Sequence, residues 1–144
     1  MITPLCSVVT LFITDEEKQV HNCHVIKLDP AGIVGDKHYG KDPSRTLLLT
    51  SVDAYRILEN HGIQAPYGSL GENIVIDYDL HQLQPGAKLK IGDAVIEIVQ
   101  NCTLCNHLSK IERRVPKLLK NDRGVFAKVL EGGRLHPGDE VYLV

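Results

Sequence analysis

Apolar residues fall into short blocks along most of this chain, and Gly, Pro, Asn and Asp separate the blocks. Blocks of four to eight residues rich in Val, Ile, Leu and Thr, bounded by such punctuation, predict strands. "LCSVVTLFIT" (5–14) and "KQVHNCHVIKL" (18–28) read as two paired strands around an acidic turn. "RTLLLT" (45–50) is another short strand, with Arg45 as its first residue, and "ENIVID" (72–77) a further one. Between them, "SVDAYRILEN" has helical spacing, with Ser51 or Asp53 available as a cap and Gly62 as a stop.

The second half repeats one device. "LQPGAKLKIG" and "LHPGDEVYLV" each place Pro-Gly before alternating apolar residues, the pattern of a turn entering a half-buried strand. "AVIEIVQN" follows Gly92-Asp93, a dipeptide that predicts a tight hairpin. Over 106–120, Leu108, Ile111, Val115 and Leu118 or Leu119 recur at helical spacing, and Pro116 predicts a kink or two short helices. "GVFAKVL" reads as the penultimate strand. Many short strands with two short helical insertions predict a mainly β fold, a barrel.

Length and charge narrow the functional classes. A chain of 144 residues is expected to form a single domain, with 43% hydrophobic residues to fill one core. Sixteen basic against 18 acidic residues leave a formal charge of -2, so bulk charge supports neither nucleic acid nor an anionic membrane as partner. The apolar run Leu5–Ile13 has no basic residue before it and acidic residues directly after it, and it is shorter than the roughly 20 residues of a spanning helix. A cytoplasmic location is expected. The four cysteines, Cys6, Cys23, Cys102 and Cys105, are then expected as thiols and not as a disulfide framework.

Chemistry concentrates in three loops. In "GIVGDKHYG" (32–40), glycines permit positive φ and close backbone approach to a ligand, and Asp36 and His38 share one face of an extended segment. His38 with Arg45 suits a phosphate or another anion, since the guanidinium fork matches anionic oxygens. The same residues also suit a long turn in which Asp and Gly do ordinary turn chemistry. In "YGSLGENIVI", Asn73 fits either a hydrogen bond to a heterocycle edge or an Asx turn.

"NCTLCNHL" (101–108) follows a strand and opens the helical pattern, which places Cys105 at an expected helix start, where the dipole favours thiolate. Cys102 and Cys105 form a C-x-x-C pair with His107 two residues on. Three readings are open: a structural zinc site completed by Cys23 with His21 or His24, a dithiol redox pair, or one working thiolate beside a packed strand-end cysteine.

Taken in order, "GIVGDKHYG…R", "GENIVI", "IGDAVIEI", a strand-end cysteine, "RGVFAKVLEGG" and "PGDEV" resemble the MOSC domain, the C-terminal domain of molybdenum cofactor sulfurases that also occurs as small stand-alone proteins. The resemblance covers about residues 20–144. It implies a MOSC-type β-barrel and an association with the molybdenum cofactor (molybdopterin) or with sulfur transfer. By resemblance, Cys105 occupies the position of the family's molybdenum-ligating or sulfur-carrying cysteine. Asp36, His38, Arg45, Glu72, Asn73, Arg123 and Gly124 match the other polar and glycine positions, and the terminal phosphate of molybdopterin supplies the anion for His38 and Arg45.

The match departs from the family at "NCTL", where several members carry an Arg or a Gly-Lys pair, so Cys102 is an added thiol. The resemblance takes in no pyridoxal-phosphate sulfurase domain, so pyridoxal phosphate is not expected to bind. The partners it implies are molybdopterin or its sulfurated form, with a molybdoenzyme or a cysteine desulfurase as the protein partner. Reduction of N-hydroxylated substrates with an external electron donor is the chemistry implied for a bound cofactor. A non-catalytic module that presents cofactor, and a zinc-stabilised structural protein, are the competing expectations.

Overall fold

The computed structural model describes residues 3–102, 111–120 and 123–144. The chain forms strands β1 (Cys6–Thr14), β2 (Val20–Cys23), β3 (Ile26–Asp29), β4 (Gly32–Ile33) and β5 (Leu47–Ser51), then helix α1 (Val52–Asn60) and strand β6 (Ile74–Ile76). Strands β7 (Lys88–Ile91) and β8 (Ala94–Asn101), helix α2 (Val115–Leu118), and strands β9 (Val125–Glu131), β10 (Gly133–Leu135) and β11 (Glu140–Leu143) complete it. Seven strands close into a ring in the order β11-β7-β8-β9-β5-β6-β1, sealed by pairing of β11 with β1. Closure leaves no free edge within the ring; β2 extends outward from β1.

Alternation sets the register. In β7 the pattern is exposed-buried, so Leu89 and Ile91 enter the barrel while Lys88 and Lys90 face water. The two Pro-Gly strands are neighbours: Val141 of β11 pairs with Ile91 of β7. The hairpin at Gly92-Asp93 pairs Ile91 with Ala94. Strand β5 is buried along its whole length, and α1 connects it to β6, which pairs with it in parallel. Ser51 caps α1 by accepting from the Asp53 N–H at 3.0 Å, and the Ala54, Tyr55 and Leu58 side chains pack with Leu70, Val115 and Leu119 in a cluster separate from the barrel core.

Three expectations change. Residues 18–28 are two strands: Leu11 pairs with Cys23, the exposed His24 and Val25 interrupt the alternation, and Ile26–Asp29 then pairs with β10 in a second, three-stranded sheet. Arg45 does not open a strand. It ends a 3-10 turn, Pro43–Arg45, because Asp42 accepts from the Ser44 N–H and Pro43 fixes the first turn. "GVFAKVL" is followed by two strands, since Gly132 and Gly133 let the chain leave β9 against backbone; a Cβ on Gly132 would stand 2.5 Å from the Leu28 carbonyl oxygen. The helical pattern expected over 106–120 is a single turn, α2, within the described part, and Pro116 sits in its first turn. No helix among the described residues is long and apolar enough to cross a membrane.

Candidate functional site

Leu48 of β5 and Phe126 of β9 are register partners whose neighbours, Leu47, Leu49, Val125 and Ala127, fill the barrel core. Leu48 and Phe126 therefore point out of the barrel, and they form the apolar floor of a cleft of about 550 Å³. The 36–45 loop, the β1–β2 turn and the 68–73 loop make its walls. Four fixed cations line it, Lys18, Lys37, Arg45 and Arg123, together with His38, Asn73 and Cys102. None of the described lining residues is Asp or Glu. A chain of net charge -2 thus gathers four fixed cations at one place.

The polar residues under the cleft are fixed by the backbone they touch. Asn73 accepts from the Leu48 N–H at 3.0 Å and donates to the Phe12 carbonyl and to Asp36 Oδ1, both at 3.2 Å. It ties β5 to β1 just before β6 begins. The buried Asp36 carboxylate also accepts from the Thr14 N–H at 2.8 Å, and its other oxygen accepts from the His38 N–H at 3.1 Å and faces His38 Nδ1 at 3.2 Å. Burial pushes the Asp36 pKa up, but the hydrogen bonds from His38 and Thr14 outweigh it and hold the carboxyl below its ordinary value. Asp36 and Asn73 are therefore positioning residues. His38 and Arg45 are half exposed and open to the cleft, with Arg45 over the Phe126 ring at 5.2 Å and only a loose ion pair to Asp42 at 4.0 Å.

Glu72 and Gly124 lie behind the lining. Glu72 is buried and accepts from the Tyr55 hydroxyl and from the Gly68 N–H, which folds the 66–72 loop onto α1. Burial raises its pKa above the ordinary carboxylate value. Gly124 has φ +144 and crosses the Leu49 carbonyl closely, and its own carbonyl accepts from the Cys102 N–H at 2.9 Å. That crossing brings Arg123 and Cys102 together.

Cys105 lies outside the described residues, as does His107. Cys102 is the thiol that the sequence reading set aside as an added, packed cysteine. It is buried, as that reading held, yet it lines the cleft and its sulfur accepts from Arg123 Nη1. Its signal in the sequence was its place at the end of β8, opposite "RG" at the entry to β9. Cys23, which one reading joined to Cys102 in a zinc site, lines a different depression with Lys27 and Arg134. Among the described residues no group of three or more His, Cys, Asp or Glu side chains is placed to hold a metal ion.

The MOSC domain matches residues 35–142. The chain belongs to the MOSC family. That family is associated with the molybdenum cofactor. Solved MOSC-fold relatives superpose closely: the YuaD protein of Bacillus subtilis, at TM-score 0.85 and 18% identity, covers 99% of this chain and 98% of its own. YiiM of Geobacillus stearothermophilus, at TM-score 0.77 and 16% identity, covers 96% and 75%. YiiM of Escherichia coli gives 0.72 and 20%, covering 96% and 69%. At such identities the likeness shows the fold alone. No curated protein matches the chain.

Proposed function

We propose that the cleft binds the phosphorylated pterin of the molybdenum cofactor, and that Cys105 supplies the thiolate that holds the metal or a persulfide. The observation that carries this reading is the set of four cations lining the cleft over an apolar floor, with no Asp or Glu among the described lining residues. Arg45, Lys18 and Lys37 would meet the phosphate, since guanidinium and ammonium groups bind anionic oxygens. Leu48 and Phe126 would carry the flat pterin, and a cysteine is the natural soft donor for molybdenum or for sulfur. The cations and the apolar floor of the cleft thus suit the phosphate and the pterin.

When bound, the cofactor would supply oxygen-atom and electron transfer, with reduction of an N-hydroxylated compound by an external electron donor as the reaction class. Asp36 and Asn73 would hold the 36–38 loop and the floor in register, and the Arg123 guanidinium would keep Cys102 against the wall. A molybdoenzyme or a cysteine desulfurase is the protein partner this reading takes, with molybdopterin or its sulfurated form as cargo.

Expression in a cofactor-competent host, followed by metal analysis and pterin fluorescence, tests the proposal. Stoichiometric molybdenum with pterin supports it; stoichiometric zinc without pterin overturns it in favour of a structural metal. Turnover with an electron donor separates an enzyme from a module that only presents cofactor. Cys105→Ser is expected to abolish retention of metal or persulfide, and Cys102→Ser to preserve most of it. The reverse result would move the donor to Cys102.

A further inference from the structure

We infer that His38, which lines the cleft, is a proton-gated anion ligand: Asp36 holds its Nδ1, and a bound dianion draws a proton from solvent onto Nε2. This inference rests on the reading of the cleft as an anion site and assigns the ionisation that binding requires.

The geometry leaves His38 one role at a time. An ionised carboxylate only accepts hydrogen bonds, and Asp36 Oδ2 lies 3.2 Å from His38 Nδ1, so Nδ1 must carry a hydrogen. The neutral ring then has its lone pair on Nε2. A lone pair aimed at a phosphate or sulfate oxygen sets acceptor against acceptor. Only the imidazolium, with a hydrogen on both nitrogens, can donate to an anion there. The side chain is half exposed, so bulk water supplies the proton with no relay.

Asp36 is well placed for this task, because it cannot turn away. Its other oxygen is held by the Thr14 N–H at 2.8 Å and by Asn73 Nδ2 at 3.2 Å, and the His38 N–H ties the loop to the same carboxylate at 3.1 Å. The charged groups around the ring come from every wall. Lys18 belongs to the β1–β2 turn, Lys37 to the ring's own loop, Arg45 to the 3-10 turn and Arg123 to the entry of β9. Behind the loop, Lys41 faces Glu16 at 3.6 Å. A dianion bound beside the imidazole favours a second proton on the ring, and the ring proton in turn favours the dianion. Protonation of His38 and occupancy are therefore linked, each favouring the other.

Sulfate is the probe of choice, since it stays a dianion across neutral and mildly acidic pH, so any proton taken up belongs to the protein. Ring NMR of His38 in the full chain, in saturating sulfate and in chloride of equal ionic strength, reads the linkage. We expect the neutral ring to carry its hydrogen on Nδ1, and the titration midpoint of His38 to rise by about one pH unit or more with sulfate. Sulfate affinity should fall about tenfold on passing from below that midpoint to above it. His38→Gln should bind sulfate with one weak affinity across the whole range, because the fixed cations remain and the switchable one is gone. Phenyl phosphate should follow sulfate at pH values where it is a dianion. Sulfate binding with an unmoved His38 midpoint, or a neutral ring protonated on Nε2, overturns the inference and leaves the anion cleft standing. If neither sulfate nor phenyl phosphate binds, the inference and the proposed function fall together.

Discussion

Arg123 donates through Nη1 to the Cys102 sulfur and through Nη2 to the Leu70 carbonyl at 2.9 Å. One buried guanidinium thus joins the end of β8 to the 68–73 loop, two walls of the cleft that are far apart in sequence. Removing the sulfur takes an acceptor from a buried charged group, which costs about 1–3 kcal/mol, whereas a hydroxyl replaces most of what is lost. Cys102→Ala is expected to lower unfolding free energy by that amount and Cys102→Ser by less than half of it, as read from urea denaturation. Equal stability for the two variants would show that the Arg123 contact contributes nothing.

Arg45 presents the opposite case. It is half exposed, its ion pair with Asp42 is long, and its main contact is the Phe126 ring, so its loss should hardly change folding. A charge-assisted hydrogen bond to a ligand contributes about 1.5–3 kcal/mol, so Arg45→Ala should weaken anion binding roughly ten- to a hundredfold. Arg45→Lys should recover part of it, because a point charge does not reproduce the fork. Added salt should weaken binding in the parent chain. Calorimetric titration with molybdopterin beside a thermal melt decides the matter: unchanged affinity with a lowered melting temperature would make Arg45 a structural residue.

Asp36 and Glu72 should pull stability in opposite directions with pH. The Asp36 pKa is held down in the fold, chiefly by His38 and Thr14 against its burial, so its contribution is full above the ordinary aspartate value of 3.8 and is lost as pH falls through the folded value. The Glu72 pKa is raised by burial, so its contribution is full below the ordinary glutamate value of 4.5 and is lost as pH rises through the folded value. Glu72→Gln should therefore gain on the parent chain steadily as pH rises above 4.5, whatever its offset at low pH. Urea unfolding at a series of pH values gives the difference directly. A pH-independent difference would place the carboxyl ionised in the fold at no cost.

Most of the barrel is legible in the sequence because a period of two survives wherever one face of a strand is buried. β7, β8, β9 and β11 show it, and the Gly92-Asp93 hairpin could be placed to the residue. The break between β2 and β3 was not legible, since His24 and Val25 belong to no turn signature and only the change of partner strand reveals them. At the cleft, residue type alone does not tell which side of the lining a residue takes. Asp36, Glu72 and Gly124 hold the cleft from behind or beneath while Asn73 also lines it, a division that depends on which backbone groups need partners. Lys18 and Lys37 line the cleft and were not singled out, because a lysine in a turn carries no pattern of its own.

Gly124 gives the sharpest test of how the cleft is assembled. Its φ of +144 is a conformation that side chains strain to adopt, and a Cβ there would stand 2.3 Å from the Leu49 carbonyl oxygen and 2.9 Å from Thr50 Oγ1. The first of these is backbone inside a fully buried strand, so it cannot move aside as a flexible side chain would. Strain and overpacking each cost about 1–3 kcal/mol, so Gly124→Ala should destabilise the fold by roughly 2–6 kcal/mol. The damage should not stop at stability. Thr50 Oγ1 donates to the Arg123 carbonyl at 3.1 Å and the Cys102 N–H donates to the Gly124 carbonyl at 2.9 Å, so any shift at 124 moves both Arg123 and Cys102. Whatever fraction of Gly124→Ala still folds should bind sulfate or phenyl phosphate more weakly than the parent chain, which Arg123 side-chain and His38 ring NMR on the folded fraction would register. A Gly124→Ala protein with the parent melting temperature would mean that the crossing of β5 is not as tight as its distances state, and that Gly124 faces the ligand after all.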